Sequence, residues 1–212
     1  MMKGIYASRN LRQDSLLLRN DFPTKGKWGI PLIKKCDVNI QDIQLIGVDR
    51  IKKDDISGNI VKTVHFFVED IKLERYYNHP ERYVYHLAQY PHILTPDFSL
   101  YTDMPLAIQA YNTLRNRWCG AYWQEQNLSV IPTVSWAGED SYEFCFDGLE
   151  EGTVVAISTI GVLKEKELFL KGYHEMKKRL NPTQVLCFGK AFPEMGNEVY
   201  VVDYLETTGR AV

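Results

Sequence analysis

Apolar and polar residues follow two alternating patterns from about residue 90 to the end of the chain. Short runs of apolar and β-branched residues indicate strands, and the run at 153–158 keeps this character until its last residue, as strands buried on both faces do. Between the runs, apolar residues recur at every third or fourth position, as on one face of a helix. Strands that alternate with helices predict right-handed crossovers and a parallel sheet. The predicted strands are 92–94, 128–135, 153–158, 184–188 and 198–204.

Two amphipathic helices are predicted in this part of the chain. The first runs from residue 107 to about residue 126, with Thr102 or Asp103 as its N-cap and Pro105 in its first turn. The second covers 168–180 and ends at the Asn-Pro pair that follows it.

The segment between residues 41 and 90 is less regular. The runs 43–48 and 61–68 have strand composition and are separated by a charged turn, so we expect them to form a hairpin. The stretch 71–90 has a mixed helical pattern that Pro80 interrupts. It predicts a short helix or a turn, followed by a longer helix.

The first forty residues show neither helical nor alternating periodicity and predict an irregular N-terminal arm, 1–40, before a single α/β domain, 41–212. Within the arm, the segment 22–31 has three interpretations. We favour a strap across the bottom of a barrel, because most connections merely cover a core. An ordered loop anchored by Trp28 and a flexible arm that binds a partner are the alternatives.

The fold class predicted from these elements is α/β with a mostly parallel sheet and an N-terminal hairpin. We favour an incomplete, TIM-barrel-like β/α barrel, because strand, polar turn and helix repeat without a strong glycine-rich nucleotide fingerprint. An open doubly wound sheet is the alternative.

Composition narrows the function classes. The formal net charge is −2, from 25 basic and 27 acidic side chains, so a general coating of nucleic acid is disfavoured, although nucleic-acid binding stays open as a third hypothesis. The four cysteines lie far apart and no histidine lies at ligand spacing, so we expect no metal site, and no cofactor is indicated.

No apolar run approaches the roughly 20 residues that cross a bilayer, and the start lacks a signal-peptide core. We therefore expect no membrane role and a cytoplasmic location.

Ligands of parallel α/β sheets bind beyond the carboxyl ends of the strands, so the residues that follow the predicted strands are the site candidates. Asp97 is the candidate catalytic residue, because a buried carboxylate at a strand end can act as a base. A turn or cap role explains it equally well. The ligand-binding candidates are Tyr101, Arg115, Ser135, Trp136, Ser158, Thr159, Gly161 and Lys190.

Each of these candidates has a chemical role and a plainer alternative. The turn at 158–161, Ser-Thr-Ile-Gly, suits an anion bound by backbone amides, and Lys190 offers a cation for the same anion. A plain strand-to-helix turn and a solvated lysine use the same residues. Trp136 is expected to stack on a ligand ring. Arg115 is expected to bind a phosphate or carboxylate, unless it only packs on its helix.

Several motifs together resemble a known family. TPDFSLYTDMP, NTLRNRW, IPTVSW, FDGLEEGTVVAISTIG and FLKGYHEMKKRLNPTQVLCFGK occur in this order, and the similarity covers about Gly29 to Gly189. They are similar to domain-of-unknown-function family 4417, which occurs in phages, plasmids and integrated elements of bacteria. The resemblance implies a mobile-element origin and a bacterial host cell, and it brings no known activity. Phe188 stands where the family pattern leads us to expect a tyrosine.

Two hypotheses follow from the sequence. In the first, the protein binds or processes a phosphorylated or nucleotide-like ligand at the strand ends. In the second, it is a noncatalytic accessory protein, for example an anti-defence factor, that binds a host defence or replication protein through its aromatic residues and the arm that carries Trp28.

Overall fold

A short antiparallel hairpin precedes the main sheet. The computed structural model describes residues 18–203, except 42 and 57, together with Thr207. Within these residues, strand β1 (Thr24–Lys25) pairs with β2 (Ile30–Pro31), and Trp28 lies in the turn between them. An N-terminal hairpin was expected, but from residues 43–48 and 61–68 rather than from the arm.

The remaining strands are all parallel and lie in the sheet in chain order. One group of four and one group of three are joined where the Val134 amide donates to the Ala156 carbonyl, at 2.8 Å. The first group contains β3 (Leu45–Gly47), β4 (Thr63–His65), β5 (Ile93–Leu94) and β6 (Val130–Ile131). The second contains β7 (Val155–Ser158), β8 (Val185–Phe188) and β9 (Val199–Val202).

Strands β3 and β4 pair in parallel, so the expected hairpin between 43–48 and 61–68 is wrong. All residues of both strands are buried, which is the pattern of parallel strands covered on two faces rather than the in-out alternation of a hairpin. The charged segment between them is a crossover with a 3₁₀ turn at Asn59–Val61.

The sheet curves strongly without closing. The rings of His65 in β4 and Phe188 in β8 lie 4.8 Å apart, although three strands separate these two in the sheet. A flat sheet would hold them about 19 Å apart, at ~4.8 Å per strand. Strands β3 and β9 do not pair within the described residues, so the architecture is an incomplete β/α barrel and not a closed one.

The helices whose bounds lie within the described residues pack on one face of the sheet. They are α1 (Asp70–Asn78), a short α2 (Val84–Leu87), α3 (Leu106–Glu125) and α4 (Lys166–Leu180). Their apolar residues share one core cluster with the outward side chains of the strands, whereas the inward side chains form a second cluster without helical members. Strand order never reverses in the described sheet, so the doubly wound alternative does not apply.

The helices agree with the predicted periodicity, except at the start of α3 and around α1. Pro105 is the N-cap of α3, so the cap predicted at Thr102 or Asp103 is wrong, because residues 101–104 form a turn of their own. Asn181, in the left-handed conformation, ends α4 as expected. Between 70 and 90 the longer helix comes first and the shorter one second, the reverse of the prediction.

The bottom of the incomplete barrel is covered by residues 35–40 and not by the predicted strap at 22–31. Cys36 and Ile40 belong to the interior cluster. The Cys36 amide donates to Thr153 Oγ1 at 3.2 Å, and the Ile40 amide donates to Gln184 Oε1 at 3.1 Å, both just before a strand begins. The interior is therefore blocked at the amino ends of the strands. Residues 1–17 of the predicted arm lie outside the described residues.

Arg117 ties helix α3 to the sheet from inside the core. It is 1% exposed, and its guanidinium donates to the carbonyls of Thr133 at 2.9 Å, Cys145 at 2.9 Å and Asp147 at 3.1 Å. Burial lowers the pKa of Arg117 to about 10, so the group keeps its charge at neutral pH. The carbonyl oxygens around it stabilise that charge.

We expect Arg117→Met to lower the free energy of unfolding by about 3 kcal/mol, because three buried carbonyls lose their donor. Urea unfolding measures the change. Arg82→Met, at an exposed arginine, is the control and should stay within about 0.5 kcal/mol of the wild type. If both substitutions change the free energy of unfolding equally, the hydrogen bonds of the buried Arg117 guanidinium do not stabilise the fold.

Candidate functional site

A cavity of about 480 Å³ lies at the carboxyl ends of the parallel strands. Strands β3, β4, β5, β7 and β8 each contribute their last residue or the residues just after it. The bottom of the barrel is covered, so the cavity lies at the other end of the fold, where ligands of such sheets bind. Its main lining residues are Asp49, Arg50, His65, Phe67, Glu69, Lys72, Asp97, Ser99, Ser158, Ile160 and Phe188.

Asp97 is the lining carboxylate whose acidity is most altered. It follows β5, and its pKa is raised to about 7, first by burial and then by the charge of Asp70. A hydrogen bond from Ser135 and the charge of Arg117 oppose this shift without cancelling it. Asp97 therefore exchanges a proton near neutral pH, as a general acid or base must.

Asp70 is held in place next to Asp97 by hydrogen bonds. It is the first residue of α1, and it accepts from the Ser99 amide at 3.1 Å and from the Ser99 hydroxyl at 2.9 Å. The hydroxyl of Tyr101 in turn donates to Ser99 Oγ at 3.1 Å. An acidic residue at a helix N-terminus is stabilised as an anion. The negative charge of Asp70 lies close enough to oppose ionisation of Asp97.

His65 contributes a neutral imidazole to the cavity. It is 4% exposed, and its Nδ1 accepts a hydrogen bond from the Phe67 amide at 3.2 Å. Burial lowers its pKa to about 4. The ring is therefore uncharged at pH 7, and the proton lies on Nε2.

Aromatic rings line one part of the cavity. Phe67 and Phe188 stack with centroids 4.5 Å apart and an interplanar angle of 12°, and His65 lies against both rings. Phe188 ends β8 at the position where a tyrosine was expected, so this side of the cavity has a ring without a hydroxyl. The rings provide an apolar surface next to the polar groups.

Charged side chains surround the opening. Asp49 and Arg50 follow β3 and are exposed, whereas Glu69 and Lys72 come from the start of α1. The Lys72 ammonium lies 3.2 Å from Asp49 Oδ2 and 3.7 Å from Glu69 Oε2, so its charge is already compensated. Arg50 forms no ion pair with any described residue, which leaves it as the available cation of the cavity.

The structure brings some of the predicted site residues together. Asp97 and Ser158 line the cavity, Ser135 hydrogen-bonds to Asp97, and Tyr101 reaches the site only through Ser99. The other predicted residues do not line it. They are Arg115, Trp136, Thr159, Gly161 and Lys190.

Two amides of the turn at 158–161 already have acceptors within the protein. The Thr159 amide donates to the Phe188 carbonyl at 3.0 Å, and the Ile160 amide donates to Ser158 Oγ at 3.2 Å. A 3₁₀ turn at Leu163–Glu165 separates this segment from α4. The helix N-terminus expected directly after the turn is therefore not formed there, although Ser158 itself lines the cavity.

Arg115 and Trp136 are engaged elsewhere. The Arg115 guanidinium pairs with Glu74 at 2.5 Å and lies 3.8 Å from the centre of the Phe98 ring, so it packs between helices. The Trp136 indole donates to the Phe169 carbonyl at 3.2 Å, and its ring fits against α4 at Gly172. Both are packing residues, the plainer of the two roles expected for Arg115.

Sequence reasoning missed half of the cavity, because β3 and β4 were read as a hairpin. Parallel pairing brings the residues after both strands to the same edge as Asp97. The available signal was that each buried run is followed at once by charged residues, Asp49 and Arg50 in one case and Glu69 and Asp70 in the other. The predicted strand 61–68 would place His65 in its middle, whereas His65 is the last residue of β4.

Neither a metal-binding cluster nor a membrane-spanning helix occurs within the described residues. No group of three or more His, Cys, Asp or Glu residues there is arranged to hold a metal ion. No helix in that part of the chain combines the length and the hydropathy that a membrane crossing requires.

Comparisons with known proteins place the chain in a family. It is 38% identical over 180 residues to the Gene 1 protein of Mycobacterium phage L5, which covers 84% of this chain and 78% of the relative. It is also 38% identical over 181 residues to the Gene 1 protein of Mycobacterium phage D29, covering 84% of this chain and 66% of that protein. No solved structure matches. Residues 22–205 match the family described as Domain of unknown function (DUF4417), and the chain belongs to this family, which includes phage proteins.

Proposed function

We propose that this protein binds a nucleoside or nucleotide in the strand-end cavity and that Asp97 exchanges a proton with the bound ligand. It would do so in the cytoplasm of a bacterial host. The observation that carries the proposal is the position of Asp97, whose pKa is about 7, in a cavity that also holds stacked rings and an uncompensated cation.

The size and lining of the cavity support a ligand of this class. Small-molecule sites range from about 300 to 1,000 Å³ and combine apolar walls with a few polar groups. The cavity of about 480 Å³ is within this range. The stacked Phe67 and Phe188 rings offer an apolar wall for a planar base. Ser99 and Ser158 offer hydroxyls for a sugar.

The charge distribution indicates how a nucleotide would be oriented. Asp49, Glu69 and Asp97 make the cavity unfavourable for a phosphate dianion at most positions. Arg50 is exposed at the opening and has no carboxylate partner among the described residues. A phosphate would therefore contact Arg50 at the opening, and the base would lie inside.

Asp97 has the properties of a general acid or base. A carboxyl group with a pKa of about 7 is populated in both protonation states at the pH of a cell. Its position next to Asp70 keeps the pKa high, since two neighbouring carboxylates resist simultaneous ionisation.

Arg50→Gln should weaken the binding of nucleoside monophosphates about tenfold and leave the binding of the corresponding nucleosides unchanged. Thermal shift followed by calorimetry, with nucleosides, their monophosphates and ribose 5-phosphate, measures this. Lys190→Gln is the control, because Lys190 is exposed and outside the cavity. If no compound of the panel binds the wild-type protein, the proposed function is wrong.

Asp97→Asn should change the pH dependence of stability. The folded pKa of Asp97 is about 7, above its ordinary value near 4, so between these values the folded state holds the proton more tightly than the unfolded state. Its contribution to stability is therefore present below about pH 4 and is lost as the pH rises to about 7.

Urea unfolding at pH 5 and pH 8 measures this effect. Relative to the wild type, Asp97→Asn should be more stable at pH 8 than at pH 5 by about 1 kcal/mol or more. Asp103→Asn, at an exposed carboxylate outside the cavity, should show the same difference from the wild type at both pH values. A pH-independent effect of Asp97→Asn would contradict a raised pKa.

A second candidate function, binding of a host defence or replication protein, is favoured by Trp28. This residue is 47% exposed at the tip of the β1–β2 hairpin, and its ring meets Phe144 edge-on. Next to it lies an open groove of about 840 Å³ with charges of both signs, from Lys27, Glu143 and Arg179 among others. Exposed tryptophans are common anchors of protein interfaces.

Trp28→Ala should abolish the capture of such a partner in a pull-down from host lysate while leaving nucleotide binding unchanged. Tyr85→Ala, at an aromatic residue that is 66% exposed elsewhere on the surface, is the control. Identical capture by the wild type and Trp28→Ala would count against this surface.

A further inference from the structure

One buried N–H group in the cavity has no acceptor. His65 Nε2 is buried and finds no hydrogen-bond partner within the described residues, although the ring is held firmly from its other side by the Phe67 amide. A buried donor without a partner costs about 1–3 kcal/mol. Each such group calls for an explanation, and for a residue that lines a cavity a ligand that supplies the acceptor is one.

The environment of His65 makes it a donor and not a cation. Burial opposes protonation, and Arg50 nearby opposes it further, whereas Asp49 favours it less strongly than burial opposes it. Because Nδ1 already accepts the Phe67 amide, Nε2 carries the proton. The imidazole ring can therefore donate one hydrogen bond in a fixed direction, but as a neutral group it carries no positive charge.

We infer that His65 determines specificity by donating a hydrogen bond to the carbonyl oxygen of an oxo-substituted base, such as that of an inosine or guanosine nucleotide. This inference rests on the proposed nucleotide site and names the class of base that it selects. An amino-substituted base would present a donor to the Nε2 donor, and the buried N–H would remain unpaired.

Charge argues against a phosphate as the acceptor at His65. Asp49 and Asp97 line the same cavity, and a dianion near them would be repelled. A neutral carbonyl carries no such penalty. The carboxylate of Asp97 also complements this edge, since oxo-substituted purines carry a ring N–H next to the carbonyl. A donor from His65 and an acceptor from Asp97, which line the same cavity, have the hydrogen-bonding polarity that this pair of atoms requires.

The wild-type protein gives the first test. Calorimetry should show that inosine monophosphate binds about tenfold more tightly than adenosine monophosphate, because sites with buried polar groups reject ligands that leave them unpaired. Equal affinity for the two nucleotides would overturn the inference while leaving the nucleotide site in place. Absence of binding by both nucleotides and by ribose 5-phosphate would overturn the proposed function as well.

Two substitutions of His65 give the second test. Asparagine can keep an oxygen near the position of Nδ1 for the Phe67 amide, but it loses the Nε2 donor. Glutamine can place an amide N–H near the position of Nε2. We expect His65→Asn to bind inosine monophosphate and adenosine monophosphate about equally well, and His65→Gln to retain most of the wild-type preference for inosine monophosphate. Circular dichroism checks that both variants are folded.

The preference for inosine monophosphate over adenosine monophosphate must depend on an N–H donor at the position of His65 Nε2 and not on the size of the side chain at residue 65. If His65→Asn keeps the wild-type preference, the inference is wrong. If neither variant folds, the comparison of the two nucleotides on the wild type still decides between the outcomes.

Discussion

The buried guanidinium of Arg117 joins helix α3 to the loops and strand ends that carry the cavity. It lies in the core with its charge intact, and the carbonyls of Thr133, Cys145 and Asp147 accept its hydrogen bonds. The adjacent Asn116 donates to the Pro96 carbonyl at 2.7 Å and to the Thr133 carbonyl at 3.2 Å. Helix α3 thereby fixes the ends of β5 and β6 relative to one another. Those two ends carry Asp97 and Ser135, so the geometry of the site depends on a charge that the site does not expose.

Alternation of side chains along curved parallel strands accounts for the position of the cavity. Inward residues such as Leu94, Ile131 and Leu186 fill the barrel interior, and Cys36 and Ile40 block its lower end. Interior apolar packing ends at Phe188, beyond which the strands continue into charged and hydroxyl-bearing residues. The described part of the chain thus has an apolar interior that meets polar side chains at the carboxyl ends of the strands. Desolvation at that end raises the pKa of Asp97 and lowers that of His65, so the same burial produces a proton-exchanging carboxyl and a neutral donor.

The regular second half of the sequence predicted the fold well, because the spacing of apolar residues there indicates which face of each helix or strand is buried. Strands β7 and β8 and helices α3 and α4 lie where the pattern placed them. Asp97 and Ser158 were found from the rule for strand ends alone. The first half failed for a physical reason: β3 and β4 are three residues long, and runs this short do not distinguish a hairpin from a parallel crossover. The packed roles of Arg115 and Trp136 depend on tertiary contacts with Glu74 and Phe169, which no local pattern encodes.

The proposed nucleotide site at the carboxyl ends of the strands is tested most directly by an NMR titration of the full chain with inosine monophosphate, followed through backbone amide and histidine ring signals. Binding there should shift the signals of His65, Phe67, Asp97 and Ser158 most. Shifts confined to the groove near Trp28, or none at millimolar nucleotide, would contradict it.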